Sequence, residues 1–100
     1  MIVGVARLQL RLPENHSLKG KRRVIKSLTG QVASRFNVAI SEVDKHDLWQ
    51  HAEIGISAVG NNQSMINSVL DKVLDFIEST YLVEVLRTDI EIIHLGRGPF

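Results

Sequence analysis

One hundred residues, 44% apolar and 23% charged, make a single ordinary globular domain, because domains run to ~50–250 residues and this composition is neither that of a disordered chain nor that of a linker. The absence of cysteine excludes a disulfide framework, a thiolate nucleophile, an iron–sulfur cluster and cysteine-ligated zinc. The net charge is only +1, yet five bases and no acid lie between His16 and Lys26, while ten acids stand against three bases between Glu42 and Glu91, so one short segment is set apart to attract a polyanion.

Ile2 to Leu12 alternates, with Ile2, Gly4, Ala6, Leu8, Leu10 and Leu12 on one face and Val3, Val5, Arg7, Gln9 and Arg11 on the other, the period of a half-buried strand. Its apolar opening is far shorter than a signal core or the ~20 residues of a membrane span, which predicts a cytoplasmic protein with no membrane partner. Pro13, Glu14 and Asn15 break the strand, and Ser17 stands as N-cap for an amphipathic helix with Leu18, Ile25, Leu28, Val32 and Phe36 on its stripe. Val38 to Asp44 and Ala52 to Val59 are short β-rich runs joined by a long polar turn. Asn61 and Asn62 offer a cap for a second helix carrying Ile66, Val69, Leu70, Val73 and Ile77, and Leu82 to His94 closes the chain as a strand. The domain then spans residues 1–94, and Leu95 to Phe100, with Gly96, Gly98 and Pro99, is expected to be a flexible tail.

The order βαββαβ predicts an α+β, ferredoxin-like split βαβ sandwich, a four-stranded antiparallel sheet with two helices on one face. Both helix stripes need a common partner, and Ile2, Leu8, Leu10, Ile54, Ile56, Ile90 and Ile92 supply it. The other sheet face is left open, carrying charges of both signs and an apolar patch of Val3, Val5 and Ile93 that an identical subunit could cover, which predicts a homo-oligomer, a dimer first. Gly4 in the first strand is read as a close approach of a helix.

The segments MIVGVARLQLRLPENHSLKGKR, FNVAISEVD, DLWQ and SVLDKVLDFIE together resemble the bacterial YlxP-like family over roughly residues 1–93. The resemblance implies a ferredoxin-like fold, no established activity, and a gene placed beside those for a ribosome-binding factor and a translation initiation factor. Association with ribosome assembly or translation is therefore implied by neighbourhood. The chain departs from the family pattern at Gly20, Lys45, His46 and His51, which weighs against a role built on those histidines.

Lys19, Arg22, Arg23 and Lys26 fall at i, i+3, i+4 and i+7 with Lys21 at their edge, one basic cluster at a helix start. Cations there oppose the helix dipole at ~0.3–1 kcal/mol each, and Gly20 costs up to another ~1 kcal/mol relative to Ala, so stability alone does not select this turn. A solvated helix face is the plain reading. The functional one is contact with phosphate oxygens of RNA or a ribosomal particle, without base readout. Five such contacts give a log affinity against log salt slope of about −3.5 to −4.5. Base stacking of the RNA-recognition-domain kind is not expected, because the central strands carry Arg7, Gln9, Ser57 and Val59 where aromatic residues would be needed.

The turn from Asp44 to His51 is the densest in chemistry. Asp44 and Asp47 suit the backbone-amide bonds that hold turns, and Trp49, beside Gln50, either plugs the end of the core or anchors a partner. A metal site from Asp44, His46, Asp47 and His51, serving a hydrolase, is the sharper alternative, although the histidines do not have helical i, i+4 spacing. The expectation is thus a non-enzymatic protein with no cofactor and no metal, binding RNA through Lys19, Lys21, Arg22, Arg23 and Lys26, with the Asp44–Gln50 turn as a second contact. The other class is a homo-oligomeric small-ligand or regulatory module joined through Val3, Val5 and Ile93.

Overall fold

The computed structural model describes residues 1–96 and contains β1 (Ile2–Arg11), α1 (Leu18–Arg35), β2 (Ala39–Asp44), β3 (His51–Gly60), α2 (Gln63–Ser79) and β4 (Glu84–His94). The sheet order is β2-β3-β1-β4 with antiparallel neighbours throughout, so the expected ferredoxin-like α+β sandwich is the fold. Alternation in β1 buries Ala6, Leu8 and Leu10 and leaves Arg7 in solvent. Opposite them in register stand Ile56, Ile54 and Ala52 of β3, and the stripes Ile25, Leu28, Val32 of α1 and Ile66, Leu70, Val73, Ile77 of α2 close over this face to form one core. Phe36, just past α1, meets Phe76 of α2 edge-on at 5.9 Å between centroids and ties the two helices together.

Gly4 is where the first strand passes under α2: a Cβ there would run into Ile66 and come within 2.9 Å of Leu70. The close approach read from the sequence is present. Both edge strands carry an irregularity at the same end of the sheet. In β4, Gln9 pairs with Arg87 but Leu10 with Val85, leaving Leu86 without a partner. In β2, Glu42 pairs with Ile54 but Asp44 with Glu53, so Val43 is the extra residue and lies against Gly55. Such bulges turn an edge away from further pairing.

Two expectations need correction. Ile90 occupies the helix side by register, opposite Ala6, yet it is 46% exposed, because β4 is an edge strand and α2 lies chiefly over β1 and β3. Val38 and Leu82 pack on the core from outside the strands, which begin at Ala39 and Glu84. Leu95, assigned to the tail, exchanges backbone hydrogen bonds with Met1: its N–H donates to the Met1 carbonyl at 2.9 Å and its carbonyl accepts from the terminal ammonium at 3.4 Å. Residues 97–100 of that tail lie outside the described residues. Among the described residues no helix is long and apolar enough to cross a membrane.

Candidate functional site

The basic helix start and the Asp44–His51 turn, read separately from the sequence, come together at one end of the domain. Ser17 caps α1 by accepting the Gly20 N–H on its Oγ at 2.9 Å. Asn15 reaches across with its Nδ2, donating to the Ser17 carbonyl at 2.9 Å and to the Trp49 carbonyl. Gln50 returns the contact, its Nε2 donating to the Asn15 carbonyl at 3.3 Å while its own carbonyl accepts the Leu12 N–H at 2.8 Å. Gly20 belongs to this knot, since a Cβ there would strike Asn15 Oδ1 and crowd Ser17 Oγ at 3.1 Å. The glycine that weakens the helix in isolation lets the cap and Asn15 close over it.

Lys21 departs from its expected place. It is 1% exposed, with its ammonium 2.9 Å from Glu42 Oε2 and donating to the Lys45 carbonyl. Lys21, Ile25, Leu28 and Val32 share the buried stripe of α1, so the lysine points beneath the helix and takes no part in an outward phosphate-binding cluster. Glu42 lies on the helix side of β2, two residues past Ile40, and is the acid that meets it. Its Oε2 is buried without an aligned hydrogen-bond donor, which leaves the pair a close ionic contact. Lys45 takes a left-handed backbone (φ 63°) that turns its carbonyl toward both Lys21 and the Leu48 N–H. Such a conformation costs on the order of 1 kcal/mol or more in a non-glycine residue and persists where neighbours enforce it.

Lys19, Arg22, Arg23 and Lys26 are all exposed, and none forms an ion pair among the described residues. The first turn of α1 holds no acid. Four cations without an ion-pair partner among the described residues therefore project from a helix start that lies over the buried Lys21–Glu42 pair.

In the turn, Asp44 accepts the Lys45 N–H on Oδ1 at 2.7 Å, the amide bond expected of it, whereas Asp47 is exposed and makes no such bond among the described residues. Trp49 is 47% exposed and Leu48 48%, so the indole does not plug the core. His46 Nε2 lies 3.8 Å from Glu42 Oε1. The hydrolase alternative gains nothing from the geometry: no group of three or more of Asp44, His46, Asp47, His51 or other such residues is disposed to hold a metal ion among the described residues. The sequence reading missed Glu42 and Asn15. Each left a signal: Glu42 breaks the apolar side of its strand pattern, and Asn15 stands just before a cap followed by glycine.

A perturbed carboxyl lies elsewhere, on the open sheet face. Hydrogen bonding from Arg87, and secondarily from Arg7, holds the Asp89 carboxyl below the ordinary aspartate range. The face carries shallow hollows of about 340 and 490 Å³ beside Val5, away from the basic end.

Fold and site define a ferredoxin-like domain with a cationic helix start buttressed by a buried ion pair. It belongs to the family described as "Protein of unknown function (DUF503)", which matches residues 3–90. The uncharacterized protein YlxP of Bacillus subtilis (strain 168) is 36% identical over 90 residues, covering 88% of this chain and 98% of that relative, in agreement with the YlxP-like resemblance. A de novo designed protein, Foldit4, shares the fold at TM-score 0.55 and 15% identity, over 96% of this chain and all of the design. The At3g17210 protein of Arabidopsis thaliana gives 0.46 at 12% identity, over 96% of this chain and 99% of its own.

Proposed function

We propose that this protein is a non-enzymatic accessory domain of the cytoplasm that binds RNA, on a ribosomal particle, through Lys19, Arg22, Arg23 and Lys26. The observation that carries this reading is the set of four exposed cations on one helix face without a single acidic partner among the described residues. Like charges gathered at the positive end of a helix dipole destabilise the free protein, and phosphate oxygens relieve that repulsion. Lys21 supports the surface from beneath. The half-exposed Trp49, whose carbonyl is tied to the helix cap through Asn15, supplies a second contact from the turn. The gene neighbourhood implied by the family resemblance points to the same class of partner.

With Lys21 removed from the contact set, four phosphate contacts give a log affinity against log salt slope of about −2.8 to −3.6. The test is co-sedimentation with ribosomal particles from the source cells at two salt concentrations, beside the triple reversal Lys19→Glu, Arg22→Glu and Arg23→Glu, which leaves the buried pair intact. Salt-sensitive movement with one subunit, lost in the variant, is the expected result. A folded protein that stays at the top of the gradient in both salts, or a variant that still co-sediments, refutes the reading.

A further inference from the structure

On the open face of the sheet the carboxylate of Glu53 has no cation within a single chain among the described residues. Arg87, Gln9 and Glu53 stand in one row across β4, β1 and β3, because Gln9 pairs with Arg87 on one side and with Glu53 on the other. Glu53 is only 8% exposed and has no cation within ion-pair distance among the described residues. In the next row, Asp89 serves two arginines at once, accepting from Arg7 at 3.3 Å and from Arg87 at 3.2 Å. Asp89 is thus shared between two arginines at the β4 side of the face, while Glu53, at the β3 side, has no cation of its own. Toward the opposite end of the strands the face becomes apolar, with Ile93, Val3 and Val59 forming another row, of which Val59 is 59% and Ile93 42% exposed.

We propose that this face is covered by a second copy of the chain, packed sheet on sheet about a two-fold axis that runs along β1. A rotation about that axis keeps each row in place and exchanges its two ends. Glu53 of one copy then meets Arg87 of the other, and Arg87 of the first meets Glu53 of the second. The same operation sets Ile93 over Val59 and brings Val3 and Val5 to their own counterparts on the axis. The same axis sets Arg7 and Arg11 over their own counterparts, each already held by a carboxylate of its own chain, Asp89 and Glu84, so the two Glu53–Arg87 cross pairs are the reciprocal contacts of an isologous interface and the charge match that fixes its register. The partner is thus a second copy, and the basic helix starts stay outside the interface, at the ends of the strands.

The test uses the intact chain. Sedimentation velocity over a range of concentrations is expected to show a dimer, reduced to a monomer by Arg87→Glu and regained when Glu53→Arg is added to it. Since the native chain has no cysteine, Val5→Cys reports directly on the axis: mild oxidation is expected to give a disulfide-linked dimer, whereas the control Ser34→Cys, on the exposed side of α1, gives none. Circular dichroism checks that each variant is folded. A wild-type chain that remains monomeric at hundreds of micromolar overturns the proposal, as does a dimer that persists in folded Arg87→Glu or fails to cross-link through Val5→Cys, since it is then built on a sheet edge or a helix.

Discussion

Replacing Lys21 by methionine distinguishes a buried support from a phosphate contact. Methionine keeps the length and apolar stem of lysine and deletes the charge, leaving Glu42 beside an apolar group and the Lys45 carbonyl without its donor. Breaking a buried ion pair from one side costs ~3–5 kcal/mol, and the 18% exposure of the Glu42 side chain places this pair at the lower end, about 3 kcal/mol. For a domain of this size each 1 kcal/mol moves Tm by roughly 4–8 °C, so calorimetry should show a fall of roughly 12–24 °C. The double variant Lys21→Met with Glu42→Leu removes both charges and should recover most of the loss, because replacing both members of a buried pair by apolar groups is often neutral. Hydrogen exchange at the Leu48 amide, which donates to the same Lys45 carbonyl, should accelerate in the single variant. A Lys21→Met protein with unchanged Tm and weakened RNA binding refutes the argument and returns Lys21 to the outward cluster.

Gly20→Ala, which in an open helix gains up to ~1 kcal/mol, should instead destabilise by about 1 kcal/mol in urea unfolding, since the added methyl meets Asn15 and Ser17 and disturbs a cap of that worth. Gly4→Val should cost ~1–3 kcal/mol or more through overpacking against Ile66 and Leu70, whereas the same substitution at exposed Gly30, with nothing within 4 Å, should cost no more than a few tenths. Asp89 is held in its charged form by Arg87 and Arg7, so the stabilisation from this cluster is present above the ordinary aspartate pKa and lost as pH falls through the lowered native value. Carbon-detected NMR titration should place Asp89 below a reference aspartate, and Arg87→Ala should move it upward; no movement rules out the stated cause. Trp49→Ala should leave Tm within about 3 °C, the indole being half exposed, and weaken RNA binding by ~1 kcal/mol or more if the turn supplies a second contact.

The order of elements, both helix stripes, the caps at Ser17 and Asn62, and the close approach at Gly4 were legible in the chain itself. Each depends on a period of two or 3.6 residues or on a bond made within a few positions. The four outward cations were legible for the same reason, as a spacing on one helix face. Lys21 was not assigned correctly, although it lies four residues before Ile25 on the buried stripe, because its fate depends on Glu42, 21 positions further along, arriving beneath the first turn. Only the tertiary structure brought Asn15 to Trp49, joined the helix start to the turn, and set Arg87, Gln9 and Glu53 in one row. Those relations depend on strand register and on two bulges. A register is settled by the packing of the whole sheet against its helices, and a bulge decides which face every later side chain takes.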